Sequence, residues 1–445
     1  MKISVIGTGY VGLVSGVCLA EIGHTVVCVD ADTEKISQIQ KGISPIFERG
    51  LDVLLRKHLG GRLQATSDLH RAILDTDLSL IAVGTPFSGD AIDLRFIKQV
   101  ATQIGEALRE KPGYHLVVVK STVVPGTTEQ VVLPLLEKAS GKTAGRDFGV
   151  GMNPEFLTEG EAVKDFMNPD RIVLGGIDQR SQAALEELYA PFQTVEKLKT
   201  NVKTAEMIKY ASNALLATMI SFSNEIGNLG AALGGVDVVD VMRGLHLSNY
   251  LSVSMPDGKR QNPGITAFLA AGCGFGGSCL PKDVKALVAH GRKAGQPMRL
   301  LDAVVQVNEQ QPQKVISLLK KHYASLQDLH VTVLGLSFRP DTNDMRESPA
   351  IPILRKLASE GAVLKAYDPA AREEALRIFQ GDSVRICNGL EEAILDAQAI
   401  VLVTRWEEFR GLPELLQKLE PQPLFVDGRR MLAKTMFSRY EGVGL

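Results

Sequence analysis

The chain has 445 residues, 45% hydrophobic and 22% charged, a balance typical of globular proteins that excludes disordered or collagen-like chains. A formal net charge of −2 leaves no basic surplus for bulk binding to nucleic acid or to an anionic membrane. Five cysteines without a CxxC pair indicate neither a disulfide scaffold nor a zinc ribbon, and the scattered histidines point to no metal site.

The opening stretch mimics a secretory leader, but Gly7, Gly9, Gly12 and Gly16 interrupt it and the strand-like 25–29 follows directly, so a cytoplasmic protein is expected. No segment supplies the roughly 18 consecutive uncharged apolar residues of a membrane span. Short apolar runs at 3–6, 25–29, 78–83, 116–120, 148–152 and 171–174 alternate with amphipathic stretches, which predicts an α/β domain with a mostly parallel sheet. From about Asn201 the texture changes. Ala211, Leu215, Met219, Phe222, Ile226, Leu229 and Leu233 recur at spacings of three and four, the pattern of one long amphipathic helix. A loop-like region with Pro256, Pro263 and many glycines follows, then helical patterning from Asp283. A second strand–helix series begins at 330–334 and continues at 363–367, 383–386, 400–404 and 424–426.

Gly7-Thr8-Gly9-Tyr10-Val11-Gly12 follows a strand candidate and opens a helix, the context a dinucleotide-binding GxGxxG requires. Its glycines permit the tight turn, the approach of a pyrophosphate and close helix–strand packing. Asp30 ends the next strand, where a carboxylate can accept the ribose hydroxyls and repel a 2′-phosphate, so NAD is expected and not NADP. Gly84-Thr85-Pro86 after the 78–83 strand adds a second loop at the same sheet edge.

Cys279 stands after a glycine loop and before a helix, with Lys282 close by, a setting that favours the thiolate. On these features alone a buried structural cysteine is the commoner case, as for Cys18, Cys28, Cys273 and Cys387. Lys209 and Asn213 share a helix face, where they either aim at one atom or are simply solvated. Glu155 and Glu159 are general-base candidates or surface acids, and spacing does not choose between these.

In order along the chain stand GTGYVG, VGTP, KSTVVPGTT, NPEFLTEG, AEMIKYASN, GFGGSCLPKD and GLSFRPDTNDMRESP, a set that resembles the UDP-glucose and GDP-mannose dehydrogenase family of nucleotide-sugar 6-dehydrogenases from Met1 to about Arg430. The resemblance implies two Rossmann-like α/β domains joined by a long central helix and a helical dimerisation region. It places the NAD domain at 1–200, the central domain with the cysteine loop at 201–312 and the UDP-sugar domain at 313–445. Oxidation of the sugar C6 alcohol to a carboxylate with two NAD is implied, by a homodimer or higher homo-oligomer acting on a small nucleotide sugar. Cys279 would capture the aldehyde, and Lys209 and Asn213 would stabilise the oxyanion. Asp283, Glu155 and Thr122 would hold water or accept protons. Lys35, Ser121, Thr122, Glu159, Lys282 and Arg346 would join the glycine loops, Tyr10 and Val11 around NAD. Phe156, Leu157, Thr158, Glu159, Lys209, Asn213, Phe268, Gly276, Phe338 and Arg339 would meet the nucleotide sugar, with Arg429 or Arg430 adding charge.

The Gly-Gly-Ser-Cys loop resembles the UDP-glucose and GDP-mannose branches and not the N-acetylhexosamine branch, and the preceding 268–272 resembles the UDP-glucose version. The stretch 245–264 departs from it, being longer than usual, and Arg260 is the candidate for an arginine donated to a neighbouring subunit. GDP-mannose is the alternative substrate. The rival classes are a non-catalytic nucleotide-sugar binder, against which Cys279, Lys209, Asn213 and Asp283 together speak, and a 6-phosphogluconate-type or 3-hydroxy-acid dehydrogenase, which needs neither the thiol nor a second nucleotide domain.

Overall fold

The computed structural model describes residues 1–255 and 257–445; Pro256, expected in a loop, lies outside the described residues. The chain divides into two compact units, Met1–Ser212 and Asn213–Leu445, with the division inside one long helix.

The first unit is built on an eight-stranded sheet. Its strands are β1 (Lys2–Ile6), β2 (Thr25–Val29), β3 (Leu63–Thr66), β4 (Leu78–Ile81), β5 (Leu116–Val119), β6 (Gly149–Met152), β7 (Ile172–Gly176) and β8 (Lys197–Thr200). Their order is β8-β7-β6-β5-β4-β1-β2-β3, parallel throughout except for the antiparallel β6–β7 pair. Central strands such as β4 and β5 are buried on both faces, which is why they read as unbroken apolar runs. Helix α1 (Tyr10–Glu21) is apolar on all sides and buried from Gly12 to Ala20, so the leader-like opening is strand and core helix of this sheet. A Cβ on Gly16 would lie 2.6 Å from Cys28 Sγ, so the glycine lets α1 settle onto β2. β3 and β8, which the sequence did not announce, are four-residue edge strands; the polar LQAT and KLKT suit an edge and carry no apolar run.

Helix α2 (Val202–Leu233) is the long helix predicted from about Asn201. In the second unit, helices α3 (Leu280–Lys293), α4 (Arg299–Lys320) and α5 (Ala350–Ser359) accompany a six-stranded parallel sheet. Its strands are β9 (His330–Leu334), β10 (Val363–Tyr367), β11 (Val384–Ile386), β12 (Ala399–Leu402), β13 (Leu424–Asp427) and β14 (Tyr440–Gly442), in the order β11-β10-β9-β12-β13-β14. Both sheets reverse direction beside their first strand, at β1/β4 and at β9/β12, and ligands of such sheets bind outside the carboxyl ends at that crevice. The extra length at 245–264 forms a small antiparallel hairpin, Val253–Ser254 against Arg260–Gln261. Among the described residues no helix is long and apolar enough to cross a membrane.

Candidate active site

At the β1/β4 crevice the backbone itself makes the site. Gly7, directly after β1, sits at φ +98°, and a Cβ there would lie 2.7 Å from the Ala82 carbonyl oxygen. A Cβ on Gly12 would meet the Gly7 carbonyl oxygen at 1.8 Å, whereas one on Gly9, which caps α1, would have no heavy atom within 4 Å. Two glycines therefore close the turn and the third leaves the helix N-terminus open to an anion. Asp30 accepts the Thr8 amide and hydroxyl at 2.7 Å each and the Asp32 amide at 3.0 Å. Burial opposes its charge, but these hydrogen bonds and nearby Lys35 outweigh it and hold the carboxyl below its ordinary value. Asp30 is thus an anion at neutral pH, which suits ribose hydroxyls and repels a phosphate. Beside it, Thr85 Oγ1 donates to the Thr122 carbonyl and Ser121 Oγ to the Val83 carbonyl, both at 2.7 Å, lacing together the loops after β4 and β5. Gly84 and Pro86 stay exposed on that rim. These residues fit NAD.

Tyr10 of the GxGxxG segment faces inward. Its hydroxyl donates to Glu48, and both accept the Gly160 amide at 2.8 Å, fastening the NPEFLTEG segment to α1. Burial, reinforced by Glu48, raises the Tyr10 phenol well above its usual range, so it stays a donor. Val11 and Glu159 are half-buried.

Glu155 follows β6 and is buried against Lys209 of α2, with Nζ 2.9 Å from Oε1. Burial opposes ionisation of Glu155; the Lys209 charge and hydrogen bond, the Leu157 amide at 2.6 Å and Lys120 overcome it and keep the carboxyl below its ordinary value. Lys120 is itself buried, donates to Asn153 Oδ1 at 2.9 Å, and is pushed by burial down to about 8. Phe156 is in contact with two cations, the Arg171 guanidinium 4.0 Å and the Lys209 ammonium 5.6 Å from its ring centre. Lys120, Glu155, Phe156, Leu157 and Thr158 line a cavity of about 280 Å³.

In the second unit Cys279 is the residue that caps α3 and is exposed, whereas the other four cysteines are buried. Ser278 Oγ lies 3.6 Å from its sulfur. One turn along, Asp283 is 1% exposed and held on both sides, by Lys282 Nζ at 2.6 Å and by Asn213 Nδ2 at 2.6 Å. The two polar residues of α2 are therefore each engaged with a buried carboxylate, Lys209 with Glu155 and Asn213 with Asp283.

At the β9/β12 crevice lie Phe338 and Arg339, both half-buried; Gly276 is buried against the segment ending at Ser348. Phe268 ends a short 3-10 turn, Gly264–Phe268. Arg429 donates to the carbonyls of Val403 at 2.5 Å and Gly274 at 2.7 Å. Arg430, one of the two arginines of which either was expected to add charge, has a side chain 7% exposed and paired with Asp237 at 2.8 Å. Arg346 is exposed and pairs with Asp344. Arg260 lies on the hairpin and donates to the Leu247 carbonyl and to Ser252 Oγ, so it ties the hairpin to its own base.

Glu48, Lys120, Asn153, Glu206 and Asp368 had escaped notice in the sequence. Lys120, Asn153 and Glu206 stand inside motifs already singled out, and Asp368 follows a strand as Asp30 does, which is the signal that finds it; Glu48 carries none.

Three models of the UDP-glucose/GDP-mannose dehydrogenase family match in succession: the NAD-binding domain over residues 1–193, the central domain over 203–310 and the UDP-binding domain over 332–434. The chain belongs to this family. Its members are NAD-dependent nucleotide-sugar 6-dehydrogenases, so the chain is an NAD-dependent dehydrogenase whose substrate is a nucleotide sugar. It is 40% identical to a UDP-glucose 6-dehydrogenase of Haloferax volcanii over the whole of both chains. It is 43% identical to the GDP-mannose 6-dehydrogenase of Pseudomonas aeruginosa, again over the whole of both. Among solved structures, a UDP-glucose dehydrogenase from Pyrobaculum islandicum superposes with a TM-score of 0.90 at 37% identity, covering 100% of this chain and 97% of that one.

Proposed function

We propose that the chain oxidises UDP-glucose to UDP-glucuronate, with Cys279 as nucleophile. The observation that carries this is the exposed thiol capping α3 one turn before a buried carboxylate that Lys282 and Asn213 hold. Held at the glycine turn and Asp30, NAD would supply the oxidant for two successive hydride removals from the sugar C6, and two NAD and one water would then give the carboxylate, two NADH and three protons. Cys279 adds to the aldehyde carbon as a thiohemiacetal, whose oxidation leaves a thioester; water then cleaves the carbon–sulfur bond and returns the thiol. Lys209 and Asn213 donate to the oxyanion, and Asp283, Glu155 and Thr122 orient water and take protons. Glu155, ionised and ion-paired with Lys209, is suited to orienting water. Arg339 pairs with the diphosphate, and residues 1–200, 201–312 and 313–445 divide the work into NAD binding, thiol chemistry and nucleotide-sugar binding.

UDP-glucose is favoured over GDP-mannose by Phe268-Leu269-Ala270-Ala271-Gly272, which resembles the UDP-glucose version of the family. The hairpin at 253–261 and the 43% identical GDP-mannose relative favour the second reading. NADH counted per sugar with each substrate separates them. Two NADH per UDP-glucose are expected, with turnover lost in Cys279→Ala; two per GDP-mannose would move the assignment, and an active Cys279→Ala would remove the covalent step.

A further inference from the structure

Asp368 follows β10 as Asp30 follows β2, yet its carboxylate is used differently. Oδ2 accepts the amides of Leu336 at 2.7 Å and Ser337 at 3.0 Å, the Ser337 hydroxyl at 2.9 Å and the Trp406 indole at 3.0 Å. Oδ1 accepts the amides of Ala370 and Ala371, both at 2.9 Å. A carboxylate offers about four lone-pair sites, so this one, 3% exposed, is saturated by its own chain. It has no capacity left to read a ribose.

What it fixes is the start of the segment that packs on the thiol loop. A Cβ on Gly277 would lie 2.7 Å from the Phe338 ring, and one on Gly276 would lie 2.3 Å from the Glu347 carbonyl oxygen. The Gly277 amide donates to the Arg346 carbonyl at 2.8 Å and the Phe338 amide to the Asp344 carbonyl at 3.0 Å. Asp341 and Glu347 within this segment hold positive φ of 63° and 53°, a conformation that L residues keep only where their surroundings enforce it. Trp406, the single tryptophan, donates from the loop after β12 to both Ser337 and Asp368.

We infer that Asp368 and Trp406 are positioning residues that couple the nucleotide pocket to the thiol: they hold 336–338 in the conformation in which Phe338 buttresses Gly277, two residues before Cys279. The inference rests on the reading that Phe338 and Arg339 meet the nucleotide and that Cys279 is the nucleophile. Filling the pocket and presenting the sulfur then belong to one conformational state.

The test needs no turnover. With the other four cysteines buried, alkylation of the native enzyme by iodoacetamide reports Cys279. UDP or GDP, which lack the sugar, should change that rate in wild type. In Trp406→Phe, which keeps an aromatic ring, smaller than the indole, and removes the donor, and in Asp368→Asn, the response should disappear while calorimetry still detects nucleotide binding. In both, kcat should fall about tenfold, the size expected on losing one hydrogen bond to a charged group, with KM for NAD unchanged. A wild-type rate indifferent to both nucleotides, or variants that keep the full response and kcat, would overturn the coupling. A rise in KM for the sugar nucleotide with kcat unchanged would overturn it too, reducing the pair to binding. Should Asp368→Asn fail to fold, Trp406→Phe decides alone. Failure of the underlying assignment looks different: Cys279→Ala would keep producing two NADH per sugar.

Discussion

Glu155 and Lys209 show what burial does to a single pair of side chains, each exposed by only about a twentieth of its surface. Removing one partner of a buried ion pair strands the other charge, so Lys209→Met is expected to destabilise the fold by about 3–5 kcal/mol, read from denaturant midpoints. The pH dependence has a definite sign. Glu155 is held below its ordinary value in the fold, so it contributes stability above the unfolded carboxylate pKa. As pH falls below that, the unfolded chain takes up the proton first, and the contribution is lost through the lower folded value. Melting temperatures followed from pH 7 into acid should therefore fall more steeply for wild type than for Glu155→Gln. At the other end, Lys120 gives up its proton near pH 8 and withdraws one of the two cations that Glu155 senses. An alkaline limb of kcat near that pH is expected in wild type and absent in Lys120→Met; an unchanged limb in the variant would assign it to another group.

At the scale of loops and helices, the glycine turn after β1 and the loop after β5 are fixed by different means. Gly7 combines φ +98° with a carbonyl 2.7 Å from where a Cβ would stand, so Gly7→Ala forces the turn open. Titration with NAD should show its affinity down by about fivefold or more, given the roughly 1–3 kcal/mol of strain at such a position. The loop after β5 hangs on Glu206 of α2, fully buried, which accepts the Gly126 amide at 2.5 Å, the Thr128 amide at 2.8 Å and the Thr128 hydroxyl at 2.7 Å. Glu206→Ala leaves two buried amides without an acceptor, at about 1–3 kcal/mol each. Because Ser121 and Thr122 lie at the head of this loop, steady-state kinetics of that variant should show KM for NAD rising more than KM for the sugar nucleotide. The turn was legible because glycine spacing is itself the signal. The Glu206 anchor was not, because the atoms it holds lie some 80 positions away in the chain.

For the molecule as a whole, α2 leaves Leu215, Phe222 and Leu229 about half exposed at intervals of seven, with Leu233 70% exposed at its end. An apolar stripe of this kind on one chain calls for a partner, and self-association is expected, read by sedimentation; Phe222→Glu with Leu229→Glu should shift the chain to monomer. The sequence by itself determined the two α/β regions with their mostly parallel strands, the long helix that follows the first and the dinucleotide turn, because apolar periodicity and glycine placement are local properties of neighbouring residues. It missed the edge strands β3 and β8, whose polar residues answer to their place in the sheet and not to a pattern of their own. Which charges serve each other was decided only by tertiary structure. Arg430 turned inward to Asp237, Asn213 to Asp283 and Lys209 to Glu155, since a buried charge takes whichever counter-charge or polar donor the fold brings within hydrogen-bond reach. Distance along the chain has no bearing on that.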